Sequence, residues 1–135
     1  MIRLVANLVK FVDVKYNKIN NSDIAFFSSV VGTKNVTIDN DDLNEYSHDE
    51  TEDLSFLPEI VVKPFRTSEV SAILKYCNNR LIPVTVSGGK TGLSGGCIPL
   101  HKGVALSMSR FNKIIEIDTK NLQATVEPGV INQNF

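Results

Sequence analysis

The sequence predicts an α+β fold, a βαβ unit followed by further strands. Three observations carry this reading. Ile60-Val61-Val62, bounded by Pro58 and Pro64, reads as a short buried strand that the prolines limit at each end. Val70, Ile73, Leu74 and Cys77 then fall at i, i+3, i+4 and i+7, the spacing of one buried helix face. Ile82, Val84 and Val86 alternate with Pro83 and Thr85 as a second strand. Strand, helix and strand with short connections give two parallel strands joined by a right-handed crossover.

The elements follow in chain order. Residues 1–14 carry Leu4, Val5, Leu8, Val9, Phe11 and Val12, but Asn7, Lys10 and Asp13 interrupt them. That run is too short and too polar for a membrane span or a cleaved leader, and it reads as a short helix or an irregular arm. Asn21-Ser22-Asp23 is a helix cap with an acidic first turn, and Gly32 is its stop. Between them Ile24, Phe27 and Val31 have helical spacing, with Phe26 and Val30 widening the buried face. Residues 1–38 therefore form an arm and a packing helix.

Residues 39–57 read as an acidic connecting loop, because Asp41, Asp42, Glu45, Asp49, Glu50 and Glu52 form a charge run of weak periodicity. His48 sits among these carboxylates, but one histidine without a second His or Cys makes no metal-ligand set. Thr67 or Ser68 caps the next helix, Glu69 suits its first turn, and Asn78-Asn79 end it. Further strands are expected over residues 104–108, 114–117 and 124–126, the last two joined by a turn at Lys120-Asn121.

Bulk composition excludes several functions. With 135 residues, 42% of them hydrophobic, the chain can build one core. Its 14 Lys and Arg against 15 Asp and Glu leave a net charge of -1 and no basic stripe, so phosphate-backbone binding to nucleic acid is not expected. Cys77 and Cys97 match no metal or redox spacing and read as reduced thiols of a cytoplasmic protein.

The chemistry-bearing segment is Ser87-Gly88-Gly89-Lys90-Thr91-Gly92-Leu93-Ser94-Gly95-Gly96, directly beyond a strand. Glycine lets a ligand approach the backbone, and successive N–H groups can converge on an anion. Lys90, Thr91 and Ser94 would add donors, and a pyrophosphate is the natural guest. Gly89-Lys90-Thr91 imitates the end of a Walker A motif, yet Val84 stands where that motif requires glycine. The Rossmann pattern fails as well, because a strand rather than a helix comes next. Glycine spacing alone leaves a flexible connector open.

Several segments then fall in one order: Tyr46-Ser47-His48-Asp49-Glu50-Thr51, Pro58-Glu59-Ile60-Val61-Val62-Lys63-Pro64, Ile82-Pro83-Val84-Thr85 and Thr91-Gly92-Leu93-Ser94-Gly95-Gly96. Ile115-Glu116-Ile117-Asp118 and Val126-Glu127-Pro128-Gly129-Val130 complete the series. The run resembles the FAD-linked oxidase family of the glycolate oxidase flavin subunit, D-lactate dehydrogenase and D-2-hydroxyglutarate dehydrogenase. The resemblance implies that residues 58–135 are a partial FAD-binding domain of the p-cresol methylhydroxylase type, its first part, truncated at Phe135. It further implies that Gly88, Gly89, Lys90, Thr91, Gly92, Gly96 and Cys97 contact FAD. Thr91 holds the place of a flavin-linking histidine, so the flavin is expected to be bound without a covalent bond.

Where the family reads P-R-G-G-G-T-G or P-R-G-A-G-T-G, this chain has Val86, Ser87 and Lys90, and the lysine charge is expected to stand in partly for the missing arginine. The resemblance implies a flavin-dependent enzyme oxidising a D-2-hydroxy acid of the D-lactate or glycolate type. The substrate-binding segments lie outside this sequence, so no residue here is assigned a catalytic role and the chain alone is expected to be inactive. An exposed sheet edge would favour self-association. The alternative reading is a non-catalytic module that completes a flavin site with a partner chain, or an inactive truncated product.

Overall fold

Every residue of Ile60-Val61-Val62 is wholly covered, which requires that both faces of its sheet be packed. A computed structural model, describing residues 15–51 and 54–131, shows how. The strands β1 (Val36–Thr37), β2 (Ile60–Val62), β3 (Val84–Ser87) and β4 (Val104–Ser107) form one sheet in the order β1-β2-β4-β3. β4 pairs in parallel with both β2 and β3, while β1 pairs antiparallel with β2. The two strands of the βαβ unit are thus parallel but not neighbours. The fully buried Val104-Ala105-Leu106-Ser107 takes the central place, where a strand has a partner on each side.

One face of this sheet carries Ile60, Val62, Val104 and Leu106 against two helices, α1 (Asn21–Val31) and α3 (Thr67–Arg80). Phe27 and Val31 of α1, with Ile73 and Cys77 of α3, close that layer. Each such side chain contributes about 1.5–3 kcal/mol by leaving water. Leu74, expected on the buried face, is 44% exposed. Ile73 and Cys77 alone reach the sheet fully, because the helix rests on a narrow stripe rather than a broad one.

The helix ends follow local chemistry. Asn20, one residue before the expected cap, accepts from the Ser22 and Asp23 N–H groups, and Asp23 accepts from the Asn20 N–H in return. Gly32, at φ 84°, ends α1. Thr67 is the first helical residue of α3 rather than its cap; the Glu69 carboxylate reaches back to the Phe65 N–H instead. Leu81 in the left-handed region closes α3, past the expected Asn78-Asn79.

Asp23 also ties α1 to α3. Its carboxylate, fully covered, accepts from the Tyr76 hydroxyl at 2.7 Å and from Arg80 Nε at 3.1 Å. Burial alone would raise the Asp23 pKa; the bonds from Arg80, Tyr76 and the Asn20 N–H outweigh it and bring it below the ordinary carboxylate value. Beside this cluster the Cys77 thiol is pushed up to about 12 by burial and by the Asp23 charge. Cys77 and Cys97 are both free.

The other face of the sheet, with Val61 and Ala105, is covered by Leu43 and Tyr46. Both belong to the stretch that reads as a solvated connector. There the chain forms a short helix, α2 (Asn40–Asn44), capped by Asp39, and buries Leu43, Tyr46, Ser47 and Asp49. The charge run is the outer side of an amphipathic cover. A second sheet, the hairpin of β5 (Ile114–Asp118) and β6 (Gln123–Val126), stands apart, its turn held by Asp118 accepting from the Lys120 and Asn121 N–H groups. No helix among the described residues is long and apolar enough to cross a membrane. The expected helix or arm over residues 1–14 lies outside the described residues.

Candidate functional site

At the carboxyl ends of β3 and β4 the sheet presents two buried hydroxyls, Ser87 and Ser107, which face each other in register. Ligands of open α/β sheets bind at this end of parallel strands. Ser107 accepts from the Tyr46 hydroxyl at 3.1 Å and lies 3.1 Å from the Ser109 hydroxyl. The Ser87 hydroxyl has no hydrogen-bond partner among the described residues, although the residue is only 2% exposed.

The glycine loop leaves from Ser87. A Cβ on Gly88 would stand 2.8 Å from the Pro128 carbonyl oxygen, so no side chain fits there without backbone movement. Gly89 and Gly96 differ: a Cβ at either would meet nothing closer than 4.0 Å, leaving room for a ligand to approach the backbone. Among the described residues the N–H groups of residues 88–93 donate to no protein acceptor. A row of unpaired amides at a strand end suits an anion.

Segment 45–51 holds this loop at three points. Glu50 N–H donates to the Gly92 carbonyl at 3.1 Å, and Gly95 N–H donates to Thr51 Oγ1 at 2.8 Å. Lys90 Nζ donates to the Glu45 carbonyl at 2.8 Å and lies 4.5 Å from the Tyr46 ring centroid. Lys90 keeps a left-handed φ of 60° and turns its side chain away from the loop. One of the three donors of its ammonium is thereby given to the clamp.

Asp49 is the least expected member of the site. It is 6% exposed, and its Oδ1 accepts from the Thr51 N–H at 2.9 Å. The Thr51 hydroxyl and then the Thr51 N–H hold its carboxyl below the ordinary value, against the desolvation that opposes ionisation; the Cys97 N–H lowers it further without reaching hydrogen-bond geometry. Oδ2 has no partner among the described residues and lies 3.6 Å from where a Gly92 Cβ would stand. A cavity of about 200 Å³, lined by Glu45, His48, Asp49, Glu50, Gly89 and Lys90, opens beside it. His48 Nδ1 is 3.0 Å from the Ser47 hydroxyl, which already donates to the Asn44 carbonyl.

The residues present fit a pyrophosphate-bearing cofactor. The unpaired amides, the open positions at Gly89 and Gly96, and the orphaned Ser87 hydroxyl are the groups such a ligand would meet. Of the seven expected contact residues, Gly88, Gly89, Lys90, Thr91 and Gly92 lie together on the loop, while Gly96 and Cys97 sit at its far end. Gly88 is committed to packing and Lys90 to the clamp. Ser87 and Asp49 were not singled out from the sequence as binding groups. The signal for Asp49 was its place after Tyr46-Ser47, where apolar and small residues interrupt the charge run.

Known proteins resemble this chain in sequence and fold. The family described as FAD binding domain matches residues 58–135. A D-lactate dehydrogenase of Anaerostipes hadrus is 36% identical over 121 residues, which are 88% of this chain and 25% of that protein. A probable mitochondrial D-2-hydroxyglutarate dehydrogenase of Oryza sativa subsp. indica is 34% identical over 120 residues, 89% of this chain and 22% of that one. Among solved structures, p-cresol methylhydroxylase with substrate bound superimposes with a TM-score of 0.69 and 30% identity, covering 82% of this chain and 22% of its own. The chain spans a quarter or less of the length of each of these relatives.

Proposed function

Because the chain belongs to the FAD-binding domain family, we propose that it forms the pyrophosphate-holding part of the flavin site in an oxidoreductase acting on a D-2-hydroxy acid. Its fold is a part of the p-cresol methylhydroxylase-type FAD-binding domain, and its cofactor is FAD. The family serves FAD-dependent oxidoreductases. The names D-lactate dehydrogenase and D-2-hydroxyglutarate dehydrogenase, borne by two relatives, support the narrower substrate class.

The observation that carries the proposal is the loop of unpaired amides at the carboxyl end of β3. Bound FAD supplies a two-electron acceptor for alcohol oxidation. In this reading the N–H groups of residues 88–93 and the Thr91 hydroxyl hold the pyrophosphate. Gly89 and Gly96 admit it, and Cys97 borders it. Lys90 contributes its backbone and keeps its charge on Glu45. The chain's own residues bind and orient.

Titration with FAD, followed by quenching of flavin fluorescence, tests the main reading. Saturable quenching is expected for the chain as it stands. Gly89→Leu places a side chain in open space, so it should abolish quenching while leaving the thermal melt unchanged. A folded chain that quenches no flavin would overturn the proposal.

A further inference from the structure

Among the described residues Asp49 Oδ2 is a buried acceptor without a donor, and a carboxylate has nothing else to offer. Leaving such a group unpaired is costly, so a donor is expected when the site is in use. Its surroundings narrow the donor's chemistry. Lys90, the cation lining the adjoining cavity, gives its Nζ to the Glu45 carbonyl. Among the described residues no three ligating groups converge as a metal ion requires. With Glu45, Asp49 and Glu50 on its wall the cavity is anionic, which disfavours a phosphate oxygen at that point. A neutral donor remains, such as a ligand hydroxyl or a water, and Gly89 and Lys90 of the amide-rich loop line the same cavity.

Dinucleotide cofactors carry both kinds of group, phosphates for amides and sugar hydroxyls for a carboxylate. Acidic side chains take the hydroxyls of such ligands in an unrelated fold. We propose that Asp49 is a cofactor-binding residue that accepts a hydrogen bond from a sugar hydroxyl, ribose or ribityl, of the dinucleotide held by the glycine loop. This rests on the flavin-binding reading above. It separates the work of the two walls: the loop takes the phosphates, and the 45–51 segment reads the sugar.

Calorimetric titration of the full chain and its Asp49→Asn variant with FAD, adenosine diphosphate, flavin mononucleotide and inorganic pyrophosphate tests it. Asparagine keeps an acceptor for the Thr51 N–H and removes the charge. FAD binding should weaken about tenfold or more, the scale of one hydrogen bond to a charged acceptor. Pyrophosphate binding should stay unchanged or tighten, because a nearby negative charge is gone. A parallel loss for adenosine diphosphate assigns the ribose; a parallel loss for flavin mononucleotide assigns the ribityl chain.

Equal weakening of pyrophosphate would overturn the proposal, showing that Asp49 only steadies the loop near Cys97. Unchanged FAD binding by Asp49→Asn would also overturn it, with the flavin-binding reading left standing. A folded parent chain that binds neither FAD nor pyrophosphate would bring down both. Should the amide variant fail to fold, Asp49→Ser carries the same comparison.

Discussion

Ile60, Val61 and Val62 of β2 are wholly covered, whereas Ile115 and Ile117 of β5, residues of the same kind, are 65% and 57% exposed. The first group lies in a sheet with α1 and α3 on one face and the α2 segment on the other. The second lies in a two-stranded ribbon, an assembly that is marginal in water without a face to pack against. β-branched residues form strands in both places; cover alone separates them. Strand propensity therefore predicts where chain extends, and only the neighbouring layers decide how much stability it returns.

The largest test of that contrast is Phe27→Ala. Phe27 has no exposed surface in the helix layer, and its loss should cost about 3–5 kcal/mol in chemical denaturation. A cost below about 1 kcal/mol would mean that the helices rest loosely on the sheet and that the contrast is false.

The next test removes the Asp23 ion pair. Asp23→Asn should cost about 2 kcal/mol at neutral pH, less than a fully buried pair because the Arg80 side chain is 38% exposed. The pH dependence has a definite sign. Since the folded-state pKa lies below the reference value of 3.8, the contribution is complete above that value. It is lost as pH falls from there through the lowered folded value. Thermal melts from pH 6 down to about 2 should show parent and variant converging at the acid end.

The smallest stability effect is expected in the ribbon. Ile117→Lys should change the unfolding free energy by no more than about 0.5 kcal/mol. Its effect should appear in association instead: sedimentation velocity should show less self-association than in the parent chain. A large stability loss would show that the hairpin is packed after all.

Much of the first region was legible in the sequence, because its signals are local. Prolines bound β2, four residues at helical spacing mark α3, and alternation marks β3. The sequence did not show that β4 inserts between β2 and β3. Strand order is set by long-range pairing, and nothing near Val104 announces it. The alternation that marks β3 groups Val86 with Val84, yet Val86 is half exposed on what proves to be an edge strand. The acidic stretch misled for another reason. A charge run averages over both faces of a short amphipathic cover, hiding Tyr46 and Asp49, which fold inward from among exposed carboxylates. The loop was legible from its glycines, but their separate duties were not. Gly88 is closed by Pro128 and Gly89 is open, a difference made by a chain segment 40 residues away.

That close approach of Gly88 to the Pro128 carbonyl joins the two regions. Pro128 follows β6, and the next residue, Gly129, donates its N–H to the Phe111 carbonyl at 2.7 Å. The root of the loop and the foot of the ribbon thus lie so close that a Cβ at position 88 would collide with the Pro128 carbonyl. The bare Cα at position 88 is what lets these two backbones lie together, so Gly88→Ala could be accommodated only by shifting the loop root or the base of the ribbon.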